Sequence, residues 1–198
     1  MARLSQRDAR TWHRLAARIE EAIDPRLSPR VLANRGVLRT GPSPVGPLLR
    51  RARSAARGLG ASYAGVLRTD VRSFYASVTP SVAFRCLVDL DVEPQVASRT
   101  ADMLDGWGSE GYAGLPIGPP GSAVIANAVL ASVDAELDSF IRWVDDYVIT
   151  LRNERDLPRI LERLDETLAR IGLERSEPKT EVEGRGSSLV WPGTYVVR

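Results

Sequence analysis

The stretch "SFIRWVDDYVITLR", residues 139–152, constrains the fold of this chain more than any other. Two apolar runs, "FIRWV" and "YVIT", meet at Asp145 and Asp146. Each run has the length and β-branched or aromatic content of a buried strand. Two such strands so close in sequence predict a hairpin. Strands buried on both sides force the two acids into the turn, where they point out of the sheet. An acid pair in a turn is usually just solvated, so its neighbours matter. Another apolar run, "AGVL", leads to Asp70. If that strand lies beside the hairpin, three carboxylates converge at one sheet edge. Clustered carboxylates repel and raise one another's pKa. Such a trio is best accounted for by a divalent cation, and all-oxygen ligands with a phosphate substrate point to Mg²⁺. Two ions there would clamp the attacking and leaving oxygens of an in-line displacement.

The rest of the chain reads as helices around these strands. Trp12, Leu15, Ala16, Ile19, Ala22 and Ile23 recur at helical spacing over residues 3–23, and Asp24-Pro25 ends that run. "TGPSPVGP" is a loop and "LLRRARSAARGLG" a short basic helix. "SVAFRCLVDL", "EPQVASRTADMLDGW", "SAVIANAVLASVDAEL" and "ERDLPRILERLDETLARIG" are further helices, the last closed by Gly172. "TEVEG" is a strand, and "SLVWPGTYVV" predicts a hairpin. From Ala64 onward the sum is α+β: a sheet with helices on one face.

Composition narrows the class. The 198 residues amount to one domain with an appendage, and a hydrophobic share of 43% supplies a core. The single cysteine, Cys86, excludes an internal disulfide and reads as a small buried apolar residue. The N-terminus "MARLSQRDARTWHR" has no apolar leader, and "AVIANAVLASV" is too short to cross a bilayer, so a cytoplasmic protein without a membrane partner is expected. Residues 1–57 hold thirteen arginines against four acids, and the remainder is net acidic. A basic arm beside an acidic body suggests a polyanion partner. Lys179, in "LERSEPKTEV", is the one lysine in a chain that otherwise uses arginine.

Four segments in order now resemble the reverse transcriptases, in their palm subdomain. "TDVRSFYASV" resembles motif A, "GLPIGPPGS" with "AVIANAVLASVD" motif B, "RWVDDYVI" motif C, and "GLERSEPKTEV" motif D. They cover residues 64–183, and the "SFYASV" and "LPIGPP" variants look closest to bacterial retron and abortive-infection lineages. The resemblance implies a right-hand palm with a ferredoxin/RRM-like antiparallel sheet over residues 59–198. A short basic fingers-like helical region would occupy residues 1–58. No thumb is expected, which leaves open a minimal polymerase, a shortened chain, or a subunit whose partner protein or structured RNA supplies that part.

The resemblance also assigns roles. Asp70 and Asp145 are the principal metal ligands, Asp146 a supporting carboxylate, and the Val71 carbonyl a contributor, for two Mg²⁺ (or Mn²⁺) ions. Tyr75 is the steric gate that favours deoxynucleotides, with Phe74 in the core. Pro116, Ile117, Gly118 and Ser122 belong to the nucleotide-binding loop, Ser122 also serving as the N-cap of the following helix. Ile117 stands where many relatives carry glutamine, which removes a polar contact to the incoming nucleotide. Lys179 is the general acid that protonates the leaving pyrophosphate, a task arginine cannot perform. Arg35, Arg39, Arg50, Arg51, Arg53 and Arg57 would hold the nucleic acid and triphosphate. The activity implied is an RNA-directed DNA polymerase working on an RNA template, a DNA or RNA primer and dNTPs, with a place in phage defence. The alternatives are a non-polymerising scaffold that binds nucleic acid or a partner, and template-independent or protein-primed DNA synthesis. Tyr75 and Lys179 argue against a nucleotide cyclase or an RNA polymerase.

Overall fold

The computed structural model describes residues 4–40 and 64–184, with Arg50 and Ser54 between them. The basic helix, with Arg51, Arg53 and Arg57, and the hairpin "SLVWPGTYVV" lie outside the described residues. So does the expected boundary at residue 58.

Helix α1 (Gln6–Ile23) opens where the Ser5 side chain accepts the Asp8 amide, and ends at Asp24. Its Trp12, Ala16, Ile19 and Ile23, spaced by three and four, are all buried. A short turn of helix, α2 (Val37–Thr40), follows. The buried carboxylate of Glu20 accepts the Leu38 and Arg39 amides at 2.9 and 3.1 Å, which fixes α2 against α1. Strand β1 (Gly65–Asp70) leads to α3 (Phe74–Ser77), α4 (Pro80–Asp89), α5 (Pro94–Ser109) and α6 (Pro120–Ala135). Strands β2 (Phe140–Trp143) and β3 (Asp146–Leu151) form the hairpin, α7 (Leu157–Arg170) follows, and β4 (Glu181–Gly184) completes the sheet. Helices α4 to α7 each carry proline in the first turn, where its missing N–H costs nothing.

The four strands are antiparallel in the order β2-β3-β1-β4. β1 and β3 are therefore central, and the chain passes through the sheet as β-α-β-β-α-β. Leu67, Phe140, Tyr147, Ile149 and Leu151 lie on one face and join a single core with α1, α4, α5, α6 and α7. Val66, Ile141 and Val148, which alternate with them, are buried on the other face. Trp12 meets Trp107 edge-on with centroids 4.9 Å apart. α1 approaches α6 so closely that a Cβ on Gly121 would lie 2.8 Å from the Ala16 methyl. Cys86 is buried, as expected, and burial pushes its thiol up to about 11. Among the described residues no helix is long and apolar enough to cross a membrane.

Candidate active site

The register of the central strands places Asp70 directly opposite Asp146. Residues so paired share a face, with Cβ atoms about 4.5–5.5 Å apart. Trp143 faces Asp146 from the other side. The turn of the hairpin is Val144-Asp145, not the acid pair: Asp146 is already the first residue of β3. The difference arises because a two-residue loop needs a positive φ that Val144 supplies at 59°, which shifts the turn one residue toward the N-terminus. Positive φ at the first central residue alone is the φ pattern of a type II′ turn, whose first position normally holds glycine.

The acids are electrostatically strained. Burial raises the Asp146 carboxyl to about 7, with further upward pressure from Asp145 and Asp70. Asp145 is also raised, first by burial and then by Asp70. Lys179, at the end of a 3-10 turn (Glu177–Lys179), donates from Nζ to Asp70 Oδ2. That contact raises the lysine pKa, helped by the charges of Asp146 and Asp145. Burial opposes this only in part, because the Lys179 side chain is 58% exposed and its neighbours are anions. The other oxygen of Asp70, Oδ1, is buried without a hydrogen-bond partner.

These features fit a cation. A bound cation would satisfy the orphaned buried carboxylate oxygen and relieve two carboxyls that burial, and then one another's charge, push upward. As the side chains stand, no group of three or more His, Cys, Asp and Glu among the described residues encloses a metal-sized site. The lysine ammonium occupies one oxygen of Asp70 instead.

Motif A continues past Asp70 in a tight path. The Ser176 amide donates to the Asp70 carbonyl and the Arg72 amide to the Glu174 carbonyl, at 2.9 and 2.8 Å. Val71, between them, is buried and bridges Arg175. Phe74 is buried in the core while Tyr75 is only partly covered. The assignment holds, but on a helix rather than on extended backbone, since successive residues of α3 point about 100° apart. The rings meet edge-on at 5.5 Å. Burial and then the Asp145 charge push the Tyr75 hydroxyl up to about 12.

The loop before α6 is anchored to motif A. Leu115 donates to the Tyr75 carbonyl at 2.7 Å, and Gly114, with φ +73°, lies so near that a Cβ would sit 2.1 Å from that oxygen. Pro116 is buried, whereas Ile117 is 66% exposed and Gly118 is exposed with φ +119°. Ser122 is not the N-cap. Pro119 holds that position because Pro120 starts the helix three residues earlier than a Ser122 cap would, and Ser122 lies in the first turn, buried, with an unpartnered Oγ. Arg35 spends its guanidinium on the Ser28 and Asp24 carbonyls, and Arg39 on the Asp24 carboxylate. Arg50, the remaining described member of the basic set, is exposed.

Sequence reasoning missed a buried network behind the turn. Arg142 on β2 is wholly buried and holds Asp134 of α6 with two bonds, Nε to Oδ1 at 2.8 Å and Nη2 to Oδ2 at 2.7 Å. Its Nη1 donates to Asn127 Oδ1 at 3.0 Å and to the Val144 carbonyl at 2.7 Å. The Tyr147 hydroxyl donates to Asp134 Oδ1 at 3.0 Å. Burial works against the charge on Arg142, but Asp134, Tyr147 and Asp145 together outweigh it and raise the guanidinium pKa. The signal was present: an arginine inside "FIRWV" has to find an acid, and "AVIANAVLASVD" ends in one.

A model of the family described as reverse transcriptase (RNA-dependent DNA polymerase) matches residues 10–193, nearly the whole chain. No curated protein matches the chain. With four motifs folded onto one sheet and the family match running through all of them, this chain belongs to the reverse transcriptase family.

Proposed function

We propose that the chain is an RNA-directed DNA polymerase whose β1–β3 sheet is the palm. The observation that carries this reading is the register that sets Asp70 opposite Asp146, one residue from Asp145, with a buried oxygen of Asp70 unpartnered. Asp70, Asp145 and Asp146, with the Val71 carbonyl, would hold two Mg²⁺ ions, Mn²⁺ serving in their place. The chemistry such ions supply is activation of a primer 3′-hydroxyl and neutralisation of charge on the phosphates. The chain's own residues do the positioning. Tyr75, beside Asp145, presents a flat ring where a ribose 2′-hydroxyl would have to fit. Pro116, Ile117 and Gly118 bring backbone, rather than a polar side chain, up to the nucleotide. Lys179, whose Nζ contacts Asp70, is the residue whose ammonium would protonate the departing pyrophosphate. The arginine-rich N-terminal region, Arg50 foremost, would grip the RNA template and primer through phosphate contacts.

Primer extension tests this. Labelled dNTPs or NTPs with Mg²⁺ are supplied with and without an annealed RNA–DNA primer, for wild type and Asp145→Ala. Template-dependent dNTP incorporation that disappears in the variant is the expected result. Incorporation without template selects the untemplated or protein-primed reading, and a wild type inert under all conditions selects the scaffold reading, which the Lys179–Asp70 contact favours. The retron-like "SFYASV" and "LPIGPP" segments support a role in phage defence. It is checked by phage plating on cells carrying wild type or Asp145→Ala, where equal plaque counts would refute it.

A further inference from the structure

The Val144-Asp145 turn pays a conformational cost that its own sequence does not offset. Val144 is β-branched and sits at φ 59°, a region a non-glycine residue keeps only where its surroundings hold it there. The surroundings that hold it are identifiable. The Val144 carbonyl accepts a 2.7 Å bond from Arg142 Nη1, and that guanidinium has no freedom to move. Asp134 fixes one edge of it with two bonds, and Asn127 Oδ1 takes another N–H at 3.0 Å. Asn127 is fixed in turn, since its Nδ2 donates to the Ala33 carbonyl at 3.1 Å. The peptide whose carbonyl is clamped is the one that joins Val144 to Asp145, so its orientation decides where the Asp145 carboxylate points.

We propose that Arg142 is a positioning residue, whose guanidinium, set by Asp134 and Asn127, clamps the Val144 carbonyl and so holds Asp145 in line with Asp146 and Asp70. The claim about catalysis rests on the polymerase reading, whereas the claim about the acids' geometry does not. Outer partners of this kind typically change metal affinity by about 10–100-fold when removed.

Removing Arg142 alone would strand the buried Asp134 charge and endanger the fold. The test therefore uses the charge-free pair Arg142→Met/Asp134→Leu, and the same pair with Val144→Gly added. Glycine adopts the turn's φ without a clamp. The readout is Tb³⁺, a hard oxygen-seeking ion, titrated into the full chain with luminescence sensitised by Trp143, the cross-strand neighbour of Asp146. Circular dichroism and melting curves confirm that each variant is folded. The expected result is Tb³⁺ affinity at least tenfold weaker in the pair, and recovery of most of that loss when Val144→Gly is added. Equal affinity of the pair and wild type, no recovery with glycine, or no Tb³⁺ binding by wild type would each overturn the proposal. A wild type that binds Tb³⁺ but extends no primer sinks the polymerase reading and leaves the clamp standing.

Discussion

Alanine at Gly114 should loosen both the fold and the choice of sugar. The residue has φ +73°, which costs an L-residue about 1–2 kcal/mol. The added Cβ would also lie 2.1 Å from the Tyr75 carbonyl oxygen and 2.7 Å from Ala76 Cα, both backbone atoms. Real Cβ contacts stay beyond 3.0 Å, so the loop or α3 must retreat by nearly an ångström. Overpacking of this kind adds about 1–3 kcal/mol. The total is about 2–5 kcal/mol. Gly111 provides the control, because it has φ +90° and nothing within 4 Å of its Cβ position. Gly111→Ala should cost only the backbone part, about 1–2 kcal/mol. Urea denaturation of both variants measures the difference. Because Leu115 holds the Tyr75 carbonyl across this contact, the retreat moves the Tyr75 ring, and if that ring is the proposed gate, dNTP-over-NTP selectivity in primer extension should fall roughly tenfold or more. If Gly114→Ala is no less stable than Gly111→Ala, the close packing of the loop on α3 is not what the fold relies on.

Two further outcomes follow from the site. Lys179→Arg keeps the positive charge against Asp70 but cannot give up a proton, so nucleotide binding should persist while single-turnover incorporation slows; equal rates would refute the acid role. In EDTA, Asp146→Asn should stabilise the protein at pH 8, with the gain shrinking as pH falls toward 4. The folded carboxyl titrates at about 7, above its unfolded value, so the stability it contributes is full below about 4 and is lost as pH rises through 7. Melting curves across that range, identical for the two proteins at pH 8, would refute it.

Much of this site was legible because strand signals are local. "AGVLRTD" and "FIRWVDDYVIT" declared strands by composition, and an acid at the end of each could be named from sequence. Their pairing depends on register, a tertiary quantity, and only the fold sets Asp70 opposite Asp146. Turn placement failed by one residue, because it hinges on a strained φ at Val144 that another side chain stabilises from across the core. The arginines misled for a related reason. Charge counts treat each as a free cation, yet Arg35 is held by the Asp24 carbonyl, Arg39 pairs with the Asp24 carboxylate at the surface, and Arg142 is committed to Asp134 inside the fold. Lys179 stands out by its rarity, but its partner Asp70 lies 109 positions away, and the rise in its pKa that this contact causes has no sequence signal.

The outer edge of β2 does not face water bare. Arg142 donates its amide to the Arg30 carbonyl and accepts the Leu32 amide, both at 3.0 Å, so Val31 lies alongside as a one-residue extension of the sheet. An open strand edge is a template on which another chain can add. Replacing Leu32 with proline would remove the amide that covers the Arg142 carbonyl and leave sticky backbone next to the hairpin of the candidate site, so self-association is the first defect such a change would bring.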